Sequence, residues 1–418
     1  MKSLSGFRDF YPEEAAWRQA VLATWREVAG RHGFSEYDGP TVEPLDLYAK
    51  KNAGGEEIFG QIYRFTDGGG RDVALRPEMT PTLARMAGAA EKHYRKPLKW
   101  FSIGNFFRFE RQQKGRLREF IQLNCDILGE TGASADAELI ALAIDVLRAF
   151  GFSSSDFVVR ISHRGAWTAF LEGRGLDAQA IRGVLQVADK LEREAPEALD
   201  AKLVPFGLTV GDLRAFVAGP PPDDLRAVIE NLEARGLGGY ITADLSIVRG
   251  LAYYTGVVFE IFDRQRELRA LAGGGRYDGL VGALSGVDIP AAGFGMGDVV
   301  LGKLIESIPA ALQKMRERMA AASALDVFVV VAEEARRPGA LGLLQRLRDA
   351  GLSADMSLEP ARVGRQFQMA ESANAVHAVV IGAEWPQVRT KRMATREESA
   401  LPHGELVEWL KSQQVSRS

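Results

Sequence analysis

Hydrophobic side chains recur at helical spacing in several long segments of the chain. Residues 12–32 begin at a proline, and apolar side chains follow it three or four positions apart, which predicts an amphipathic helix. Residues 134–150 show the same spacing and end before a glycine. The Ala- and Leu-rich stretch from 165 to 235 is also helical in pattern. It contains no obvious catalytic cluster, and we interpret it as an inserted helical module.

Aromatic and apolar runs typical of strands flank a short polar segment. Residues 98–109 and 119–128 have strand composition, and the basic stretch between them predicts two antiparallel strands joined by a long loop. Residues 241–262 return to strand character. The three glycines at 273–275 predict a tight turn, because glycine adopts backbone conformations that other residues avoid.

The hydrophobic period changes towards the C-terminus. A helical segment at 306–324 precedes apolar strand-like runs at 326–331 and 376–381, with a helical stretch at 341–349 between them. Alternation of strand and helix predicts a separate α/β domain. The predicted divisions are residues 1–310, which contain the helical insertion, a linker at 311–324 and the C-terminal domain at 325–418.

The composition is that of an ordinary globular protein and narrows the possible functions. Of 418 residues, 46% are hydrophobic and 26% charged, and the net charge of −3 argues against indiscriminate nucleic-acid binding without excluding local basic patches. The single cysteine, Cys125, excludes a disulfide within the chain. No apolar stretch reaches the roughly 20 residues that span a bilayer. The first residues lack the apolar run of a signal peptide, so we predict a cytoplasmic protein without a membrane partner.

A carboxylate and a hydroxyl lie two residues apart in the segment Arg76–Thr80. In extended chain the side chains of Glu78 and Thr80 point to the same side, and together they form a good acceptor set for an ammonium group. The alternative is a surface glutamate followed by a helix-capping threonine.

The predicted hairpin loop is rich in positive charge. Five of the eleven residues from Arg108 to Arg118 are basic, and only Glu110 is acidic. Guanidinium groups bind phosphate through a planar fork, and the ring of Phe120 can stack on a base, so the hairpin suits a nucleotide. A solvated basic hairpin is the alternative.

Two further segments place polar groups within apolar surroundings. Gln122 and Asp126 lie four positions apart on one predicted strand and share a face, which favours a lined pocket over a satisfied core network. The segment from Arg249 to Glu260 combines a cation, the phenols of Tyr253 and Tyr254, and two glycines. None of the five histidines has metal-ligand or catalytic-triad spacing, and no Gly-rich loop ends in Gly-Lys-Ser/Thr, which argues against a P-loop ATPase.

Taken together, these segments resemble the histidyl-tRNA synthetase family of class II aminoacyl-tRNA synthetases. Arg249–Glu260 is similar to the family's histidine-specific segment and is the most specific match. The other similar segments are Gly6–Asp9 with Pro12 (N-terminal signature), Pro40 (motif 1, usually at a dimer interface), Arg76–Thr80 (amino-acid loop), Phe107–Phe120 (motif 2), and Gly364–Phe367 with Val379–Gly382 (anticodon-binding domain).

The resemblance implies an α+β catalytic domain with an antiparallel class II synthetase sheet, a helical insertion and a C-terminal α/β anticodon-binding domain. It implies that the protein activates histidine with ATP, with Mg²⁺ accompanying the phosphates, and transfers it to tRNA(His) as a homodimer. No metal site made of protein ligands is expected.

The resemblance also implies a role for each matching residue. Arg108 would hold the α-phosphate, Phe120 would stack on adenine, and Arg249 would stabilise charge at the reacting carboxylate and α-phosphate. The remaining implied roles are histidine binding by Glu78, Thr80, Gln122, Asp126, Tyr253 and Tyr254, ATP binding by Glu110, Arg116 and Arg118, and contact with the tRNA acceptor end by Arg111 and Gln113.

The chain departs from the family pattern at two places. Val300 stands where motif 3 usually has an arginine that meets the γ-phosphate, and we expect Arg116, Arg118 or Arg276 to compensate. Gln112 stands where motif 2 usually has proline. The first departure slightly favours a rival, the synthetase-like regulatory subunit of ATP phosphoribosyltransferase, but the C-terminal domain and the intact histidine segment disfavour it. Tyr253, Tyr254 and Asp126 likewise argue against a proline or threonine synthetase.

Overall fold

A computed structural model describes residues 3–49, 58–110, 115–249 and 253–415. The chain divides into two compact units, Met1–Met315 and Arg316–Ser418. Helix α12, Pro309–Ser323, crosses the division. In the part of the chain that is described, no helix combines the length and apolar character that crossing a bilayer requires.

The first unit is built on an eight-stranded sheet, in which the strands run in the order β1-β5-β6-β11-β10-β9-β7-β8. Its strands are β1 (Ser35–Glu36), β5 (Leu98–Phe107), β6 (Glu119–Leu128), β7 (Phe157–His163), β8 (Ile241–Ala243), β9 (Val257–Asp263), β10 (Ala272–Arg276) and β11 (Ala291–Gly297). Neighbours are antiparallel except the two edge pairs, β1 with β5 and β7 with β8. The predicted antiparallel pair at 98–109 and 119–128 is therefore confirmed as β5 and β6.

A second, three-stranded antiparallel sheet lies in the same unit. It consists of β2 (Val42–Pro44), β3 (Arg64–Thr66) and β4 (Asp72–Leu75), with β4 in the centre. Pro40 lies just before β2 and is exposed.

Helices cover the large sheet and fill the connection between β7 and β8. The helices of this unit are α1 (Pro12–Arg31), α2 (Asp46–Ala49), α3 (Thr80–Ala89), α4 (Ala133–Ala149), α5 (Arg164–Glu172), α6 (Ala178–Ala188), α7 (Pro196–Leu203), α8 (Val210–Val217), α9 (Asp223–Ala234), α10 (Leu280–Ser285) and α11 (Asp298–Ser307). The predicted helices at 12–32 and 134–150 are confirmed as α1 and α4. Helices α5–α8 share an apolar core around the fully buried Trp167, Leu199 and Leu213.

The glycines at 273–275 do not form the predicted turn. They lie inside strand β10, between β9 and β11. A Cβ atom on Gly274 would lie 2.3 Å from the carbonyl oxygen of Gly293, and one on Gly275 would lie 2.7 Å from that of Val257. Glycine is therefore required at these positions because neighbouring backbone and side-chain atoms approach so closely that a Cβ atom would clash with them.

The C-terminal unit is a five-stranded mixed sheet with helices on both faces. Its elements are β12 (Val327–Val331), α13 (Arg337–Asp349), β13 (Ala354–Met356), α14 (Val363–Ser372), β14 (His377–Ile381), β15 (Gln387–Arg392), β16 (Glu398–Pro402) and α15 (Leu406–Val415), and the strand order is β13-β12-β14-β15-β16. Alternate residues of β12 point to opposite faces. Val329 packs with α13 and α15, whereas Phe328 packs with α14. The predicted strands at 326–331 and 376–381 and the helix between them are confirmed.

Candidate active site

An open cavity of about 610 Å³ is lined by β6, β10, β11 and the loops beside them. Its positive side chains are Arg108, Arg116, Arg193, Arg249 and Arg269, and its acidic ones are Glu110 and Glu260. Five cations against two carboxylates give an excess of positive charge. Such a cavity suits a polyanion, because Arg forms bidentate hydrogen bonds with phosphate oxygens.

The β5–β6 hairpin brings a cation and an aromatic ring to this cavity. Arg108 donates a hydrogen bond from Nε to the carbonyl of Pro77 at 2.9 Å, and its guanidinium carbon lies 5.4 Å from the centre of the Phe120 ring. Glu110 and Arg116 form an ion pair across the hairpin at 2.5 Å. Arg108, Glu110, Arg116 and Phe120 therefore come together, as the sequence predicts.

Arg118, also predicted to bind ATP, is not among the residues that line the cavity. Arg118 stacks its guanidinium on the Phe109 ring at 4.4 Å and approaches the carbonyl of Ser5 at 3.4 Å, so its role in binding ATP stays a prediction. Arg111 and Gln113, predicted to meet the acceptor end of tRNA, lie outside the described residues, as does Gln112.

Arg249 lies between the cavity and a buried cluster of phenols. Its backbone has a positive φ of 56°, and its Nη1 lies 3.2 Å from a carboxylate oxygen of Glu260. Its guanidinium carbon also lies 5.5 Å from the centre of the Tyr254 ring. Burial opposes the charged form, but Tyr254 and Glu260 nevertheless keep the pKa of Arg249 above its ordinary value. Residues 250–252 of the predicted histidine segment lie outside the described residues.

A buried carboxylate, that of Glu78, lies near enough to Arg108 to feel its charge. Tyr253 donates a hydrogen bond from its hydroxyl to Oε2 of Glu78 at 3.3 Å, and Thr80 lies within reach of the same hydroxyl. Oε1 of Glu78 is buried and has no hydrogen-bond partner. Burial raises the pKa of Glu78, although the charge of Arg108 lowers it in part. Thr80 is the first residue of α3, and neither it nor Met79 caps the helix through a side chain.

Strand β6 contributes a row of polar side chains to the same region. Gln122, Asn124 and Asp126 alternate with apolar residues and share one face of the sheet. Tyr277 donates a 2.5 Å hydrogen bond from its hydroxyl to Oδ1 of Asp126. Burial raises the pKa of Asp126 to about 7, and the hydrogen bond from Tyr277 opposes that shift.

Four residues of this region were not predicted from sequence as part of the site. Tyr277 holds Asp126, and Tyr37 is buried nearby with a hydroxyl that has no hydrogen-bond partner. Arg193 and Arg269 line the cavity. Tyr277 lies two residues after the glycine run at 273–275, but the other three come from segments with no local motif.

The prediction that Arg276 borders the nucleotide is wrong. It is buried and points to α4, where its Nη2 lies 2.7 Å from a carboxylate oxygen of Asp136. It also donates to the carbonyls of Glu130 and Gly132 at 2.9 and 3.2 Å. These partners hold the guanidinium away from the cavity, and Val300 lines the cavity without a charge.

Comparison with known proteins identifies relatives across nearly the whole chain. The histidyl-tRNA synthetase family model matches residues 6–297, and the anticodon binding domain model matches residues 326–413. The histidine–tRNA ligase of Opitutus terrae is 42% identical, with 96% of each chain covered, and that of Haloarcula marismortui is 36% identical, with 96% of this chain and 95% of the relative covered.

Solved structures share the fold. The histidyl-tRNA synthetase of a Nostoc species superposes with a TM-score of 0.77, 24% identity and 99% coverage of both chains. A Bacillus halodurans protein described as an ATP phosphoribosyltransferase regulatory subunit/histidyl-tRNA synthetase superposes with a TM-score of 0.70 and 24% identity, covering 91% of this chain and 97% of its own.

The pKa of Asp126 predicts a pH dependence of stability. Between the ordinary carboxyl pKa of about 4 in the unfolded chain and about 7 in the folded protein, only the folded protein keeps this proton. The free energy of unfolding therefore falls as pH rises through this window. In Asp126→Asn the group cannot titrate, so the fall should be smaller. Thermal unfolding of both proteins at several pH values between 4.5 and 8 measures the difference, and parallel curves would contradict the assignment.

Proposed function

The chain belongs to the histidyl-tRNA synthetase family, and we propose that it is a histidine–tRNA ligase that forms histidyl-adenylate from histidine and ATP and transfers the histidyl group to tRNA(His). The observation that carries the proposal is the position of Arg249. The Arg249 side chain lies between the arginine-rich cavity and the buried carboxylates and phenols. One guanidinium group therefore faces both ATP and histidine.

The buried cluster offers acceptors suited to histidine. Glu78, Thr80 and Gln122 receive the α-amino group, because a buried carboxylate with one unpartnered oxygen favours a cationic ligand. Asp126 and Tyr254 contact the imidazole nitrogens, and Tyr253 orients Glu78. A site whose buried polar groups need hydrogen bonds rejects amino acids that leave them unpaired.

The cavity offers the groups that ATP needs. Phe120 stacks on adenine, Arg108 binds the α-phosphate, and Glu110 and Arg116 form the wall of the nucleotide site. In the reaction a carboxylate oxygen of histidine forms a bond to the α-phosphorus, the bond from that phosphorus to the bridging oxygen breaks, and pyrophosphate leaves. Arg249 and Arg108 stabilise the negative charge that builds up, which is how such sites accelerate a reaction without a protein nucleophile.

Mg²⁺ fits this site as a companion of the nucleotide. Among the described residues no group of three or more His, Cys, Asp or Glu side chains is placed to hold a metal ion. The two carboxylates of the cavity, Glu110 and Glu260, are each paired with an arginine. We therefore propose that the phosphates themselves carry Mg²⁺, which neutralises part of their charge when bound.

The alternative function, regulation of ATP phosphoribosyltransferase, receives less support. The chain keeps a C-terminal unit that matches an anticodon binding domain, and its identity with histidine–tRNA ligases extends along 96% of its length. The regulatory paralogue resembles the catalytic domain alone, so the C-terminal unit favours the ligase.

A homodimer is part of the proposal. Val42 and Phe65 leave 42% and 48% of their surface exposed on the small sheet, close to Pro40. Exposed apolar side chains on a sheet favour an interface. Light scattering of the purified protein measures the mass, and a fully active monomer would contradict the dimer.

The proposed location is the cytoplasm, where the buried thiol of Cys125 stays reduced.

Histidine-dependent exchange of pyrophosphate into ATP tests the activity directly. We expect exchange in the unmodified protein, and Asp126→Ala should raise the KM for histidine by roughly tenfold or more, because a lost hydrogen bond to a charged or buried partner is worth about 1.5–3 kcal/mol. The KM for ATP should stay within about twofold. Absence of exchange in the unmodified protein would defeat the proposed function, and an unchanged KM for histidine in the variant would remove Asp126 from the pocket.

The proposed anticodon surface is a group of four basic residues in the C-terminal domain, Arg389, Lys391, Arg392 and Arg396. Arg389 and Lys391 lie two apart on β15, and Lys391 packs 5.6 Å from the centre of the Phe367 ring. A cation beside a ring suits a phosphate next to a stacked base.

Lys391→Ala should raise the KM for tRNA(His) severalfold and leave pyrophosphate exchange unchanged, because removal of one phosphate contact weakens binding without touching the adenylate site. Aminoacylation assays at several salt concentrations measure the effect. Lys411→Ala, which removes an exposed lysine from α15 of the same unit, is the control. A KM for tRNA that is equal in the two variants would place the anticodon elsewhere.

A further inference from the structure

The arginine that usually closes the phosphate end of the family's nucleotide site is absent from this chain. Val300 occupies its position in the first turn of α11 and lines the cavity. An isopropyl group makes no hydrogen bond with phosphate. Of the three arginines expected to compensate, Arg276 is held by Asp136 and Arg118 is stacked on Phe109. The third, Arg116, lines the cavity and is paired with Glu110.

Arg269 lies beside Val300, although it comes from a different part of the chain. It belongs to the loop between β9 and β10 and lines the same cavity. Distances from Gly115, in the hairpin between β5 and β6, show that the two side chains lie close together. A Cβ atom built on that glycine would lie 3.6 Å from Cγ2 of Val300 and 4.0 Å from Cδ of Arg269. Arg269 and Val300 therefore approach the same point of the hairpin from two different segments of the chain.

The charges around Arg269 favour an anion. Partial burial, together with the positive charges of Arg116 and Arg193, lowers the pKa of Arg269, and only Glu110 opposes this effect among the groups that influence it. Arg116 and Arg193 therefore bring two more guanidinium groups near Arg269, and Glu110 is already paired with Arg116. A phosphate group bound among them would relieve their mutual repulsion.

We propose that Arg269 supplies the cation that binds the terminal phosphates of ATP in place of the missing arginine at position 300, and that Arg193 adds a second contact from the helical insertion. This inference rests on the proposed use of the cavity for ATP. When pyrophosphate leaves, negative charge grows on the β- and γ-phosphates, and Arg269 stabilises it. The helical insertion and the β9–β10 loop thereby become parts of the nucleotide site.

Binding of ATP and of AMP to the full-length protein separates this role from others. AMP lacks the terminal phosphates, so Arg269→Ala should weaken ATP binding by about tenfold or more, which is about 1.4 kcal/mol, and leave AMP binding within about twofold. Arg193→Ala should have a smaller effect in the same direction. Arg269 is exposed in the loop, so its loss should not disturb folding. Arg182→Ala, which removes an exposed arginine from α6 outside the cavity, is the control for net charge.

The decisive part of the experiment restores the family's arginine at position 300. In an Arg269→Ala background, Val300→Arg should recover most of the lost ATP affinity, because both side chains reach the same place, and it should recover the rate of histidine-dependent exchange. Isothermal titration calorimetry and exchange assays measure the two quantities. Equal losses for ATP and AMP, or no loss for ATP, would overturn the inference, as would a double variant no better than Arg269→Ala.

If the unmodified protein bound ATP but showed no exchange with histidine, the proposed function would fail, whereas equal ATP affinity of the unmodified protein and Arg269→Ala defeats only the role of Arg269.

Discussion

The site depends on the close approach of polar side chains to the backbone of neighbouring strands, which only glycine permits. A Cβ atom on Gly293 would lie 1.8 Å from Oδ1 of Asp126, and one on Gly295 would lie 2.6 Å from Nε2 of Gln122. On β10, a Cβ atom at Gly273 would lie 1.4 Å from Nη1 of Arg249. No side chain can occupy these positions without moving the polar groups, so the glycines of β10 and β11 form a flat floor for the site.

This floor explains how charged groups are held inside a sheet. Asp126 and Glu78 are buried, and burial raises the pKa of both carboxyl groups, so each needs nearby partners. Tyr277 and Tyr253 donate to them from the same apolar cluster. Arg249 lies beside Gly273 of the floor, contacts the ring of Tyr254 and lines the cavity. Histidine recognition and charge stabilisation are therefore two uses of one glycine-rich surface.

Sequence patterns predicted the parts of the fold that depend on residues close together in the chain. Helices α1 and α4 and strands β5 and β6 follow from the spacing of apolar residues, since each element buries one face against its neighbours. The prediction of a turn at the glycines of β10 was wrong. The side chains that require glycine there, those of Arg249 and Tyr254, lie about twenty residues away in the chain. The basic and aromatic residues of one segment predicted that Arg108 and Phe120 share a hairpin, but no local pattern could indicate Arg269, whose place beside Val300 arises only when three segments meet.

The central claim is that the glycine floor holds the histidine-binding groups, and the affinity of Gly293→Ala for histidine tests it most directly. Gly293 faces Asp126 and does not line the nucleotide cavity, so ATP affinity in the same protein is an internal control. Isothermal titration calorimetry should show histidine affinity reduced by about tenfold or more, since displaced hydrogen bonds of this kind are worth about 1.5–3 kcal/mol, with ATP affinity within about twofold of the parent. Unchanged histidine affinity in a folded Gly293→Ala protein would contradict the account.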